Sequence, residues 1–203
     1  MEPFKYCQVH FNIGASEVKV TISEIYGCKP DGLAQSIIGT FPRMVEWWIG
    51  KAERIMEGGL RRPVRYSEFR NMHYHEWRRE FAEWNTHYAQ TSSLVAYTET
   101  RFRFPSYVRR GLRVKANFAV IHPNIVAVRN GCLRISTKPR LYSYVKLNPR
   151  DRRQSLLLEQ AEKGVWRIGQ VLLTGEWALI PLLKEAELLE TVDPVLSDIA
   201  RTL

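Results

Sequence analysis

The sequence predicts an α+β protein in which an antiparallel β-domain carries a helical insertion near its start. Three observations indicate this fold class. Apolar and polar residues alternate before position 30, apolar residues recur at helical spacing between positions 40 and 100, and short strand-like runs follow position 105. With 203 residues, 45% of them hydrophobic, the chain can bury a core in one domain or in two small ones that share it.

The first 32 residues predict β-structure followed by a turn. Residues 4–26 contain alternating apolar positions, the pattern of a half-buried strand, so we expect an N-terminal strand or hairpin there. The sequence Lys-Pro-Asp-Gly at residues 29–32 is typical of a turn.

Three helices are expected between this turn and position 100, each indicated by apolar residues three or four positions apart. The first begins at about Thr40, has Pro42 in its first turn and ends at Gly58. The second begins at Ser67, a residue type that caps helix N-termini, and the third covers residues 86–100.

Short strands separated by turns make up the second half of the chain. Asn130 and Gly131 lie between two strand-like runs, and an Asn-Gly pair in that position is the strongest short-range signal for a β-hairpin. The last two runs are separated by a three-residue loop, residues 174–176, with a central glycine. The expected strands cover residues 117–121, 125–128, 132–136, 141–147, 165–173 and 177–183.

Positive charge is concentrated in residues 101–153, which contain 14 Lys or Arg residues and one acid, Asp151. This segment has a net charge of +13, whereas the whole chain has +9. Like charges repel one another in a folded protein, and a polyanionic partner relieves that repulsion. Because a solvated face normally mixes both signs, we expect the 14 cations to lack partners within the chain and to contact nucleic acid.

Candidate nucleic-acid contacts follow from this segment in two groups, with two further cations on the second helix. The first group is Arg101, Arg103, Tyr107, Arg109, Arg110, Arg113 and Lys115. The second group is Arg134, Lys138, Arg140, Lys146, Arg150, Arg152 and Arg153, and the further cations are Arg78 and Arg79.

Aromatic residues are interleaved with these cations, and Tyr107, Tyr142 and Tyr144 are examples. Cationic groups follow phosphates while aromatic rings stack on bases, so the mixture is typical of surfaces that bind single-stranded nucleic acid. The alternative for each single aromatic is a place in the core, where strand aromatics are more often found.

No residue pattern predicts a catalytic or metal site, and we expect no cofactor. Glu76, Glu80 and Glu83 are spaced along one side of the second helix, where an ordinary charged face is the better interpretation. His73 and His75 would share a metal only on a strand, because residues two apart diverge on a helix.

The three cysteines are far apart, which argues against disulfides and against a cysteine-based zinc site. We expect Cys7, Cys28 and Cys132 to be buried thiols in a reducing compartment. The first residues do not form an apolar leader, and the apolar runs are too short to span a membrane. The sequence therefore predicts a cytoplasmic protein with no membrane partner.

The order of these features resembles the N-terminal half of the transposon-encoded TnpB (OrfB) proteins, RNA-guided nucleases related to type V CRISPR effectors. The matching segments include MVEWWIGKAERI, FPSYVRRGLRVKANF, NGCLRIS and VWRIGQVLLTGEWALIPLL, and the resemblance covers most of residues 30–187. It implies a barrel-like wedge domain of residues 1–32 and 101–190, an inserted helical recognition-lobe-like domain of residues 33–100, and a tail of residues 191–203. It also implies a guide-like structured RNA as partner, with duplex DNA as a second one.

The sequence departs from that family where the nuclease begins. The family's nuclease starts with a strand that carries Asp and then Gly, whereas Asp193 is followed here by Pro194. The remaining carboxylates of a two-metal site are also missing from the sequence. Three hypotheses stay open: an RNA-binding module that does not cut, one part of a split nuclease whose RuvC-like half is a separate protein, and a nonspecific basic subunit of a ribonucleoprotein or viral assembly.

Overall fold

The computed structural model has an α+β fold and describes residues 8–13, 17–57, 64–102 and 114–187. Four α-helices lie in these ranges: α1 (Gly32–Glu57), α2 (Tyr66–Glu80), α3 (His87–Phe102) and α4 (Arg152–Glu162). The first five strands are β1 (Gln8–Ile13), β2 (Glu17–Lys29), β3 (Ala119–Ile121), β4 (Val126–Arg129) and β5 (Cys132–Lys138). The other four are β6 (Leu141–Asn148), β7 (Arg167–Ile168), β8 (Val171–Leu173) and β9 (Trp177–Glu187).

All nine described strands belong to one antiparallel sheet with the order β3-β8-β9-β2-β6-β5-β4, in which β1 also pairs with β2 and β7 with β9. The long strand β2 joins the two halves of the sheet. One of its edges pairs with β9 along residues 17–27, and the other pairs first with β1 and then with β6. Within the described residues β3 and β4 do not pair with each other, so the sheet is open. The predicted α+β class with an antiparallel sheet is confirmed.

The two predicted strand connections are confirmed. Asn130 and Gly131 join β4 to β5 with φ angles of 51° and 70°, the two positive values that a type I′ hairpin turn requires. Thr174 closes the loop between β8 and β9, because its amide and its hydroxyl both donate to the carbonyl oxygen of Trp177 at 2.9 Å. The N-terminal hairpin is also present as β1 and β2.

The strand predicted for residues 165–173 is interrupted, and only β7 and β8 are regular. Gly169 lies in the gap and approaches β9 closely, with its amide donating to the Pro181 carbonyl at 2.7 Å. A Cβ at this position would lie 2.8 Å from Leu183 Cδ1 and 3.0 Å from Pro181 Cβ. Any side chain here would displace the Leu183 methyl group and press against the rigid Pro181 ring, so glycine suits this close approach best.

Helix α1 begins at Gly32, so the predicted start near Thr40 is wrong, as is the placement of Pro42 in the first turn. The carboxylate of Asp31 accepts a hydrogen bond from the Ala34 amide at 2.7 Å and caps the helix. The residues predicted as an isolated turn thus form the junction between β2 and α1. The helix ends at Glu57, directly before the predicted stop at Gly58.

Helix α2 begins one residue before Ser67, and Arg65 at its N-cap makes no side-chain capping bond, so the predicted cap is wrong. The predicted third helix is confirmed as α3. Helix α4 has no counterpart among the predicted elements. Its signal was present in the sequence, because Asp151 accepts from the Gln154 amide at 2.8 Å as an N-cap and buried Leu157, Leu158 and Ala161 follow at helical spacing.

The buried residues of the helices and of the sheet form one core cluster. Helix α1 contributes four of the twelve largest fully buried side chains, more than any other element, and packs against α3 and against β3, β5 and β6. Its Trp48 is fully buried and donates from Nε1 to Ser92 Oγ of α3 at 3.1 Å, which satisfies the indole nitrogen inside the core. This packing covers one face of β5 and β6, and the opposite face carries the candidate site.

Candidate nucleic-acid interface

The candidate site is the outward face of β4, β5 and β6 together with the end of β2. Successive side chains on a strand point to opposite sides, and on β6 the residues Ser143, Val145 and Leu147 are buried. The residues between them, Tyr144 and Lys146, are exposed, and so are Lys29 at the end of β2 and Arg129 on β4. The two cations of β5, Arg134 and Lys138, are half-buried. We call this surface the tyrosine face; it comprises Lys29, Arg129, Arg134, Tyr142, Tyr144 and Lys146.

Strand register places three cations in one row across this face. Lys29 pairs with Lys146, Lys146 pairs with Cys132, and Cys132 pairs with Arg129. Directly paired residues of antiparallel strands project to the same side, and adjacent strands are about 4.8 Å apart, so the row extends about 14 Å. We call Lys29, Lys146 and Arg129 the basic row.

The basic row is unfavourable in the free protein. Lys29 and Lys146 are directly opposite each other, and like charges in that arrangement destabilise a sheet. None of the three cations forms an ion pair with a side chain in the part of the chain that the structure describes. An anion bound by these side chains above the sheet would relieve this repulsion.

The next positions on the same face carry the two tyrosines. Tyr144 pairs with Arg134 and Tyr142 pairs with Ser136, one and two rows away from Cys132. Tyr142 is 48% exposed and Tyr144 is 51% exposed, so the alternative that these aromatic residues lie in the core is wrong for both. The Arg134 guanidinium lies 4.7 Å from the centre of the Tyr142 ring, a cation–π contact that holds the ring beside the cation.

Asp31 fixes the backbone beneath Tyr144. Its carboxylate accepts from the Tyr144 amide at 2.9 Å and from Ser143 Oγ at 2.6 Å, besides capping α1. Partial burial opposes ionisation, but the hydrogen bonds from Ser143, Ala34 and Tyr144 outweigh it and hold the pKa of Asp31 below its usual value. The start of α1 is thereby tied to the strand that carries the tyrosines.

Several predicted contacts instead have partners within the protein. Lys138 pairs with Glu83 and lies 4.8 Å from the centre of the Trp84 ring. Arg153 pairs with the buried carboxylate of Glu24 at 2.8 Å. Both acids lie outside residues 101–153, so a charge count within that segment does not include them. The expectation that the segment's cations have no partner within the chain is wrong for Lys138 and Arg153.

Two more predicted contacts bind backbone carbonyl oxygens. Arg150 Nη2 donates to the Ile25 carbonyl at 2.9 Å, and Arg78 Nη1 donates to the Trp84 carbonyl at 3.4 Å. Arg150 and Arg153 thus connect β2 with the start of α4, and Lys138 connects β5 with the α2–α3 connection. Arg78 joins α2 to that same connection. The positive charges of these four side chains have structural roles.

The remaining predicted contacts fall into two groups. Four are exposed and form no ion pair with the described residues: Arg79, Lys115, Arg140 and Arg152. Of these, Arg140 is next to the tyrosine face in the β5–β6 turn. The side chain of Arg101, and the whole of Arg103, Tyr107, Arg109, Arg110 and Arg113, lie outside the described residues.

Sequence reasoning missed Lys29 and Arg129 as members of the site. Lys29 was assigned to a turn, although it is the last residue of β2, and Arg129 was counted only in the total charge. If the strand had been predicted to continue regularly up to Lys29, its alternation would have shown on which face of the sheet Lys29 lies. No sequence pattern, however, shows that β2 pairs with β6. Cys132, predicted to be buried, is half-buried on the tyrosine face, whereas Cys28 on the opposite side is buried and free.

The predicted acidic helix face is also different in the structure. Glu76 pairs with Lys51 of α1 and with His73 Nδ1 at 3.2 Å, and these two partners lower its pKa to about 2. Glu83 follows the end of α2 and pairs with Lys138. His73 and His75 lie on a helix as expected, and among the described residues no three His, Cys, Asp or Glu side chains are grouped to hold a metal ion.

No model of a protein family matches this chain, and no curated protein matches it either. None of the helices in the described ranges is both long and apolar enough to cross a membrane.

Proposed function

We propose that this chain binds nucleic acid, structured RNA in particular, through the tyrosine face, and that it acts by holding the RNA. The observation that supports this most directly is the basic row. Its three cations come from three different strands, lie in one row with Cys132 between Lys146 and Arg129, and have no acidic partner among the described side chains. Phosphate groups are the ligands that such a row favours, because each neutralised phosphate also releases condensed counterions.

The chain order supports the more specific proposal that the sheet is a wedge-like, barrel-like domain of the TnpB type with the helices as its insertion. Within the described residues, β2 ends at Lys29, three helices follow, and the next strand begins at Ala119. In this proposal residues 1–32 and 101–190 form the wedge-like part and residues 33–100 the recognition-lobe-like part. A protein of this kind leaves sequence reading to base pairing of the RNA, so it needs mainly backbone contacts of its own.

The proposal is tested with the neutralised basic row. The variant Lys29→Gln/Arg129→Gln/Lys146→Gln should bind a structured RNA more weakly than the wild type, because three phosphate contacts are lost. In a salt titration followed by fluorescence anisotropy, the log–log slope should become shallower by about 0.7 to 0.9 for each contact. The three residues are exposed, so the fold should be retained.

A matched control removes three exposed cations elsewhere in the described structure, Arg43 and Arg54 on α1 and Arg167 on β7. This control has the same net charge as the test variant and should keep the wild-type slope. Equal affinities and slopes for the test variant and the wild type would refute the proposal. Sequencing the RNA that copurifies from the native host then identifies the ligand: a single structured species supports a guide-like RNA, and a random mixture supports a nonspecific basic subunit.

A further inference from the structure

Tyr142 and Tyr144 form a pair with a defined spacing. They are two residues apart on β6, on its exposed side, which separates their positions by about 6.8 Å along the strand. Lys146 follows at the same interval on the same side. A ring, a second ring and a cation thus lie in a line.

The surroundings of the two rings indicate what covers them. Tyrosine rings offer a large apolar area that is normally buried, yet about half of each side chain is open to solvent here. Their cross-strand neighbours are Ser136 and Arg134, and the basic row is adjacent, so cations and a hydroxyl group border the rings, although Leu141 before Tyr142 is also exposed. A ligand that fits must combine flat, stackable groups with regularly spaced negative charge.

We propose that Tyr142 and Tyr144 stack on two bases of a single-stranded segment of nucleic acid, whose phosphates contact Lys146 and the rest of the basic row. This inference rests on the proposed function and specifies its ligand. Bases within a duplex are stacked on one another and hide their faces, so only an unpaired segment can occupy the rings. Arg134, held against Tyr142, adds a cation beside the first base.

The stacking step is tested with a full-chain variant, Tyr142→Leu/Tyr144→Leu, that keeps apolar bulk and removes both rings. The matched control, Tyr142→Phe/Tyr144→Phe, keeps the rings and removes only the hydroxyl groups. The probes are a uridine oligonucleotide of about ten nucleotides, an abasic ribose-phosphate strand of the same length and charge, and an RNA duplex. Binding is measured by fluorescence anisotropy at one salt concentration.

The wild type and the Phe variant should prefer the uridine strand to the abasic strand. The Leu variant should bind the uridine strand about 5- to 100-fold more weakly for each ring that stacked, and its preference for uridine over abasic strand should disappear. Its affinity for the duplex should stay within about twofold of the wild type, because duplex binding depends on the phosphate contacts alone.

The outcomes separate this inference from the proposed function. If the Leu variant binds the uridine strand like the wild type while neutralising the basic row weakens it, the stacking site is refuted and nucleic-acid binding stands. If the wild type binds none of the three probes nor the structured RNA, the function itself is refuted. If an acidic polypeptide bound as tightly as the uridine strand, and this binding also depended on the two tyrosines, the assignment of the rings to bases would be refuted.

Discussion

Replacing Asp31 with alanine should destabilise the protein through three contacts at once. The α1 cap from Asp31 to the Ala34 amide contributes about 1 kcal/mol. Ser143 is fully buried and donates its hydroxyl to Asp31, so that loss of the acceptor leaves a buried donor unsatisfied at a cost of about 1–3 kcal/mol. The Tyr144 amide lies at a strand position where water can replace the carboxylate. The expected loss in the free energy of unfolding is therefore about 2–4 kcal/mol.

Urea unfolding followed by far-UV circular dichroism measures this loss. Asp31→Asn should lose less than Asp31→Ala, because asparagine caps a helix about as well as aspartate and keeps one acceptor oxygen. In Ser143→Ala the buried hydroxyl is gone, and Asp31→Ala should cost about 1 kcal/mol less in that background than in the wild type. A loss below about 0.5 kcal/mol for Asp31→Ala, or full additivity with Ser143→Ala, would contradict the reasoning.

The same carboxylate predicts a pH dependence. The pKa of Asp31 is lower in the folded protein than in the unfolded chain, so its contribution is fully present above the unfolded value of about 3.9 and is lost as the pH falls towards the folded value. The difference in stability between the wild type and Asp31→Asn should therefore be constant near neutral pH and shrink below about pH 4. Because Asp31 is largely exposed, solvent screening keeps this electrostatic part small.

Three further predictions concern single positions. Gly169→Ala should lose about 1–3 kcal/mol in urea unfolding because β9 occupies the space of its Cβ, whereas Gly175→Ala, with no atom within 4 Å of its Cβ, should be nearly neutral; similar losses would contradict the packing argument. Gly131→Ala should destabilise by about 1 kcal/mol because its φ of 70° strains a side chain, and an unchanged urea midpoint would argue against the type I′ turn. Arg153→Ala should lower the free energy of unfolding by about 1–3 kcal/mol by leaving a buried carboxylate without its ion pair. The exposed Arg152→Ala should leave stability within about 0.5 kcal/mol, and equal effects of the two arginine variants would contradict a structural role for Arg153.

Local signals predicted most of the elements correctly, and the misses have identifiable causes. The Asn130-Gly131 hairpin and α3 were correct because turn chemistry and helical periodicity are encoded within a few neighbouring residues. Helix α1 was predicted to start too late because the Pro-Asp-Gly sequence was interpreted as a turn, although Asp31 is also a helix cap. Helix α4 was missed because Asp151 was considered only as the one acid in a basic segment.

The candidate site was predictable only as a set of residue types. The interleaved cations and tyrosines indicated nucleic acid, and Tyr142, Tyr144, Arg134 and Lys146 do lie on one exposed face. Arg153, from the same segment, proved to be a structural partner of Glu24. Counting charges along the sequence cannot separate the cations of the exposed face from those with a structural partner, because the acid that pairs with a given cation comes from a distant part of the chain.

The sequence by itself determined the α+β class, the antiparallel second half and the concentration of positive charge in residues 101–153. These properties depend on composition and on short-range periodicity, which any segment carries within itself. Only the tertiary structure decided which cations remain without an acidic partner and how they are arranged. Strand register places Lys29 opposite Lys146 and, through Cys132, in line with Arg129. Register depends on pairing between strands far apart in the chain, so the basic row exists only in the folded sheet.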